Sequence, residues 1–326
     1  MAPNPLDALR NLTDAVRERS RIKLGREITI ATAAYGNDSA TRTFLASLFS
    51  SVKGDYELIL VDDHSPDNGA TRRAFEEAAA LHRNTRIFCF TENQEYSGSL
   101  RAIQSHASGD FIFFVSNDII VTSSYFRQLL EAAKQEPQAG ILRGSSNFVD
   151  NGLASHNLVP TQPIHLVSDV AREGRAVAKR FGNLRQNDRY LTGDAFLTTR
   201  ALINTIGVFD PRFYGYFADH DFGIRSKIAG FRNLFVPGAY AFHCQDANFD
   251  YLPEEQRALK ASARRERVQM NWNLFKQKYG LAEDLAYTST NHIPWEALEQ
   301  VPFQATEHYI APGNYRDQLI DPFEER

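Results

Sequence analysis

The sequence predicts an α/β fold: a mostly parallel central sheet flanked by helices, then a helical and irregular C-terminal extension. Three observations carry this expectation. Short apolar runs alternate with amphipathic stretches over residues 27–135. The runs are apolar at nearly every position, as in strands buried on both faces. Polar residues gather where those runs end, and open α/β sheets bind ligands beyond the carboxyl ends of their strands.

The elements follow in order. Leu6, Leu9, Leu12, Val16 and Ile22 recur near helical spacing, so residues 5–22 predict an amphipathic helix outside the main fold. The cluster Arg17, Arg19, Arg21 and Lys23 leaves a membrane-surface contact open there, against the simpler reading of a solvated helix face. "EITIATAAY" (27–35), "YELILVDD" (56–63), "TRIFCFTEN" (85–93) and "DFIFFVSND" (110–118) read as strands. Helices are expected at 40–52, 71–83, 97–108 and 124–135. Such alternation implies parallel strands joined by crossover helices. After "AGILRG" (139–144) the pattern fades, and 147–190 reads as a variable loop region. Order returns at 190–230, and "FRNLFVPGAYAFH" (231–243) reads as two short strands. A charged helix is expected over 253–280, and the last 46 residues are aromatic and proline-bearing without a period. The expected division is an N-terminal helix over 1–25, a main domain over 26–245 and an extension over 246–326.

Bulk properties exclude several classes. The chain has 326 residues and a formal charge of −4, so no general affinity for nucleic acid is expected. Cys89 and Cys244 make neither a disulfide framework nor a zinc cluster and point to a reducing compartment. The first 25 residues lack the apolar core of a secretory signal, and no run reaches membrane-spanning length. A cytoplasmic protein is expected, with the inner face of the membrane left open as its place. "TAAYGNDSAT" has neither the basic glycine-rich loop of a nucleotidyltransferase nor the G-x-G-x-x-G turn of a dehydrogenase.

The strand ends supply the chemistry. Tyr35 follows the first strand, Asp62 and Asp63 end the second, Asn93 follows the third, and Asn117 and Asp118 end the fourth. A hard carboxylate such as Asp118 suits Mg²⁺ or Mn²⁺, although alone it is an ordinary turn residue. Asp63 is placed to accept from a nucleobase N–H or a ribose hydroxyl. Asp219 and Asp221 near a helix start are capping groups or, facing a cleft, bases for an incoming hydroxyl. His243 closes the strand "AYAFH", and imidazole also binds Mn²⁺. Arg101 is a candidate diphosphate contact because its helix begins at the ligand edge. Phe213, Tyr214, Tyr216 and Phe217 are sugar platforms or core; Trp272 and Trp295 read as packing residues. Arg264, Arg265 and Arg267 sit on a helix face open to solvent, phosphate or anionic lipid.

The order "ITIATAAY", "YELILVDDHSPDNG", "NQEYSG", "SGDFIFFVSNDIIV", "TGDAFLTTRALINTIGVFDPRFYGYFADHDFGIRSKIAG", "AFH" resembles family-2 glycosyltransferases with the GT-A fold. It is most similar to the bacterial rhamnosyltransferase-like branch that builds surface polysaccharides. The resemblance spans about residues 27–245, and "NWNLFKQKYG" (271–280) is similar to the tail of that branch. It implies an inverting, metal-dependent hexosyl- or deoxyhexosyltransferase using Mn²⁺ or Mg²⁺. The implied donor is a nucleoside-diphosphate sugar of the UDP, dTDP or GDP type, and the acceptor a glycan or lipid-linked saccharide. Ala33, Tyr35 and Asp63 then belong to the nucleotide site, with Tyr35 and Asp63 on the base. Asn117 touches ribose or diphosphate, Asp118 and His243 bind the metal, Asp219 is the base, and Gly193 and Asp194 line the acceptor side.

Four departures accompany the resemblance. Gln94-Glu95 displaces the Gly after Asn93, and Gly36 stands for the Asn after Tyr35. Ser116 replaces the first Asp of Asp-x-Asp, leaving one metal carboxylate, and Ala218 replaces the Glu before Asp219, which makes Asp221 a rival base. The last two departures also fit a non-catalytic domain that binds sugar nucleotide or glycan. The residues after 246 are candidates for closing the site and for self-association into a homo-oligomer.

Overall fold

The computed structural model describes residues 21–149, 153–244 and 254–320, with side chains of the C-terminal helix described from residue 262. The N-terminal helix expected over 5–22 lies outside the described residues except at its end. There Ile22 belongs to a strand, β1 (Ile22–Leu24), which runs parallel to β3 (Val52–Gly54). Leu24 is buried while Lys23 is exposed, so these residues follow the two-residue period of a strand.

The main sheet has ten strands. Its first half is β2 (Ile28–Ala34), β4 (Glu57–Asp62), β5 (Thr85–Cys89) and β6 (Phe111–Val115), all parallel, in the order β5-β4-β2-β6. Helices α1 (Asp38–Ser51), α2 (Ala70–Leu81) and α3 (Glu95–His106) make the crossovers. Ile30, Leu58, Leu60 and Phe113 face one hydrophobic cluster; their neighbours Ala31, Ile59, Val61 and Phe114 face another. Burial on both faces is why these strands read as unbroken apolar runs.

The second half is mixed rather than parallel. The short β7 (Ile119–Ile120) and helix α4 (Ser123–Gln135) lead into β8 (Ala139–Ser146). Thr122 caps α4 by accepting from the Tyr125 N–H at 3.1 Å. Strand β10 (Ala195–Thr199) inserts antiparallel between β6 and β8. That insertion sets Asp194 beside the carboxyl end of β6.

The region 147–190 is not simply a loop. It holds helix α5 (Val167–Phe181) and the two-residue β9 (Gln186–Asn187). Val170 and Val177 are buried on the inner face of α5, with Gly174 packed so closely that a Cβ there would meet Thr122 and Ser124 at 3.0 Å. The 231–243 segment is one strand, β11 (Arg232–His243), not two. A register shift between Val236 and Tyr240, at Pro237-Gly238, bends it without ending it. Helices α6 (Arg200–Ile206), α7 (Ala218–Ile228) and α8 (Glu254–Tyr279) complete the second face. Trp272, Phe275, Trp295 and Leu298 join the core cluster there, and β12 (Leu319–Ile320) pairs with β5. The segment expected to be an extension is therefore packed into the main core.

Candidate active site

The strand ends converge as the topology requires. Asp63 follows β4, and its N–H donates to the Ala34 carbonyl at 2.9 Å. Tyr35 beside it is 43% exposed, and Ala33 is half-buried in register with Val61. The Asp63 Oδ1 accepts from the Gln94 N–H at 2.6 Å. Burial drives this carboxyl up to about 7, against the pull of that hydrogen bond, and the charges of Glu95 and Asp62 push the same way. Unfolded, the group releases its proton near pH 4; folded, it keeps it to about 7. Stability is thus expected to fall as pH rises through that interval, and Asp63→Asn to flatten the fall. Thermal midpoints across the interval for both proteins check this; identical slopes refute it.

Asp118 and His243 meet across β7 and β11. The Asp118 Oδ2 lies 3.3 Å from His243 Nε2. The other ring nitrogen faces the Phe148 carbonyl at 3.3 Å, and a proton on Nδ1 turns the Nε2 lone pair toward the carboxylate. Two acceptors so placed need a cation between them. Burial by itself would lower the imidazole, yet the hydrogen bond and charge of Asp118, with Asp194 and Phe148, raise it to about 9. A proton therefore binds where a divalent ion fits. Among the described residues no three His, Cys, Asp or Glu side chains form a metal cluster, so the pair offers two donors. That suits an ion taking its other ligands from diphosphate and water.

Beside this pair is a cavity of about 410 Å³ whose walls include Tyr96, Ser116, Thr192, Asp194, Asp219 and Arg264. Asp219 sits in the first turn of α7. Its Oδ2 accepts from the Gly193 N–H at 3.2 Å and its Oδ1 from the His220 N–H at 2.9 Å. Each oxygen keeps a lone pair. Gly193 is required here: a Cβ would stand 1.6 Å from the Tyr96 hydroxyl, which donates to the Gly193 carbonyl at 2.7 Å. Burial and the nearby Asp219 and Asp194 hold that phenol well above its usual range, so it stays a neutral donor. Ala218, beside Asp219, is fully buried.

Asp194 is held from behind. The buried Arg143 lies 3.1 Å from its Oδ1 and donates to the Thr192 carbonyl at 3.0 Å. The Asp194 Oδ2 and Thr192 Oγ1 are buried without a hydrogen-bond partner. Two unpaired oxygens on a cavity wall suit a polyhydroxylated ligand. Ser116 borders the same cavity, its N–H donating to the Asp194 carbonyl at 2.8 Å. Tyr216, with Arg264 over its ring, and the mostly buried Phe217 line the cavity, whereas Phe213 is core. Arg267 stacks on Tyr214 and pairs with Glu95, tying α8 to the start of α3.

Three residues expected at the site turn their side chains to protein partners. Arg101 faces the C-terminal segment, donating to the Tyr315 hydroxyl and the Ala311 carbonyl, both at 3.2 Å. It lies on α3 beyond the first turn, so the helix start does not bring it to the ligand edge. Asn117 is buried and donates to Thr41 Oγ1 at 2.9 Å. Asp221 is enclosed by Arg225 at 2.7 Å and Lys278 at 2.5 Å, with no exposure to the cavity. Tyr96, Arg143 and Thr192 carried no expectation. Arg143 did leave a signal, since a charge inside the apolar run "AGILRG" needs a buried partner.

The profile of the family described as Glycosyl transferase family 2 matches residues 29–207, more than half the chain. The chain belongs to this family. As a family-2 glycosyltransferase it is 24% identical over 236 residues to N-acetylglucosaminyl-diphospho-decaprenol L-rhamnosyltransferase of Mycobacterium tuberculosis (strain ATCC 25618 / H37Rv), 66% of this chain and 75% of that one. It is 28% identical over 125 residues to EpsH of Bacillus subtilis (strain 168), named as a glycosyltransferase, covering 38% of this chain and 36% of that protein. It thus spans about a third of EpsH. The crystal structure of GalNAc-T7 with UDP, GalNAc and Mn²⁺ aligns with a TM-score of 0.52 at 13% identity, covering 66% of this chain and 42% of that one. The family-2 transferase thus has the GT-A fold. Among its described residues no helix is long and apolar enough to cross a membrane.

Proposed function

We propose that this glycosyltransferase moves a hexosyl or deoxyhexosyl group from a UDP-, dTDP- or GDP-sugar to a hydroxyl of a glycan or lipid-linked saccharide, with inversion. We assign it to bacterial surface polysaccharide or glycoconjugate synthesis, in the cytoplasm or at the inner membrane face. The observation that carries the reading is Asp219, a carboxylate with free lone pairs on the wall of a cavity, beside the Asp118–His243 pair. The acceptor oxygen bonds to the anomeric carbon as the bond to the diphosphate breaks, and its proton goes to Asp219. Asp194 and Thr192 orient sugar hydroxyls. Tyr35 and Asp63 hold the base. Asp118 and His243 would hold Mn²⁺ or Mg²⁺, which when bound offsets charge on the departing diphosphate.

Calorimetry with UDP, dTDP and GDP, with and without Mn²⁺, tests this. One nucleotide is expected to bind in a metal-dependent way, and Asp118→Ala to weaken it by at least about tenfold. Equal binding without metal, or by the variant, removes Asp118 from the site. The two-donor metal pair favours one second reading, a non-catalytic domain that binds sugar nucleotide or glycan. Nucleotide binding without transfer from any matching sugar donor identifies that case.

A further inference from the structure

Helix α5 (Val167–Phe181) has a face that, among the described residues, neither the fold nor the cavity uses. Val170, Gly174 and Val177 are buried on its inner side, where Val170 and Val177 cluster with Ile120 and Tyr240. On its outer side Arg172, Arg175 and Lys179 are exposed at the spacing of one helical stripe, and Arg180 is exposed next to Lys179. The helix has two carboxylates, and neither answers the stripe beyond its first turn. Asp169 pairs with Arg172 at 2.9 Å, and Glu173 is buried, accepting from Thr161 Oγ1 at 2.7 Å. Arg175, Lys179 and Arg180 have no ion pair among the described residues, and Arg180 lies 4.9 Å over the Phe181 ring. This is a cationic surface on a chain whose net charge is −4.

Large aliphatic side chains are exposed near the same helix. Val159 is 86% exposed and Leu166, just before the helix, 48% exposed. The Thr161–Glu173 hydrogen bonds bind the Val159 stretch alongside the middle of the helix. Water is a poor environment for such groups, whereas a bilayer interface accepts both aliphatic and cationic groups, long basic side chains reaching the headgroups. Phe242 and Cys244, which flank the metal-site His243, pack on the same small cluster as α5.

We propose that the outer face of α5, with Val159 and Leu166, docks the protein on an anionic lipid bilayer. Each basic group near such a surface strengthens binding about fivefold, so the three unpaired cations favour anionic over neutral membranes by roughly a hundredfold. On the functional reading above, docking there holds the cavity close to the surface where a lipid-linked acceptor resides. The docking itself does not depend on that reading.

Flotation of the full chain with vesicles tests it. Vesicles of phosphatidylcholine with about 30% phosphatidylglycerol are compared with phosphatidylcholine alone, at about 0.1 M and 1 M salt. Binding is expected to the anionic vesicles only, to weaken in high salt, and to fall at least about tenfold in Arg175→Ser/Lys179→Ser/Arg180→Ser. Val159→Ser/Leu166→Ser is expected to weaken it as well. Nucleotide binding by both variants is expected to match wild type, which separates failure of docking from failure of the pocket reading. Flotation by the triple variant equal to wild type would move the contact elsewhere, with the basic cluster at Arg17–Lys23 next in line, and overturn the proposal. So would absence of wild-type flotation. Loss in the triple variant with no effect at Val159 and Leu166 would mark a general polyanion site and overturn the bilayer assignment.

Discussion

Asp219→Asn is expected to lower transfer by about 10²–10⁴-fold while leaving nucleotide affinity unchanged. The argument is local. The carboxylate accepts from the N–H groups of Gly193 and His220, which fix its plane, and its side chain remains 20% exposed toward the cavity. Asparagine keeps an oxygen and nearly the same volume but cannot take a proton. One backbone N–H loses its acceptor, a cost of about 1–3 kcal/mol. Folding should therefore survive, and the loss should fall on kcat rather than on the donor KM. Release of nucleoside diphosphate from the donor chosen by calorimetry is the measurement. An Asp219→Asn protein that turns over within threefold of wild type would remove Asp219 as the base.

The first half of the sheet was more legible in the sequence than the second. Unbroken apolar runs report burial on two faces, and Ile30/Ala31 and Phe113/Phe114 do face opposite clusters. The strand ends then set where Asp63 and Asp118 stand, and the start of α7 sets Asp219. Topology without a local signature was not legible: nothing in "AFLTT" says that it runs antiparallel between β6 and β8. Pro237-Gly238 reads as a strand end because proline lacks the ladder N–H, yet a bulge absorbs it. The α5 pattern was diluted by charges on its outer face and by Gly174, a residue weak in helices that close packing demands. Arg101 and Asn117 turn to protein partners for one reason. Sequence position gives the end of an element, but the direction of a side chain depends on partners far along the chain, here Tyr315 and Thr41.

Asp221 stands two residues from Asp219, and its removal should act on stability instead of chemistry. Its Oδ2 accepts from Arg225 Nε at 2.7 Å; its Oδ1 accepts from Lys278 Nζ at 2.5 Å and the Tyr279 hydroxyl at 2.9 Å. Arg225 spends its other N–H groups on the carbonyls of Ile206 and Val208, and Lys278 also reaches Asp210 at 2.9 Å. One buried carboxylate thus joins α7 to α8 and to the segment after α6. Burial opposes its charge, but Arg225 and Lys278 hold it below the usual carboxylate range. Its contribution is accordingly present above the unfolded carboxyl range and lost as pH falls through the folded one. Asp221→Ala leaves two cations in the interior with Asp210 alone to answer them. A loss of about 3–5 kcal/mol is expected, because an orphaned buried charge costs more than the pair contributes. Denaturant unfolding measures it. The same variant separates the two acids: if Asp221 were the base, Asp221→Ala would stay as stable as wild type and lose turnover. The buried network predicts the reverse order, with stability falling first and residual transfer scaling with the folded fraction.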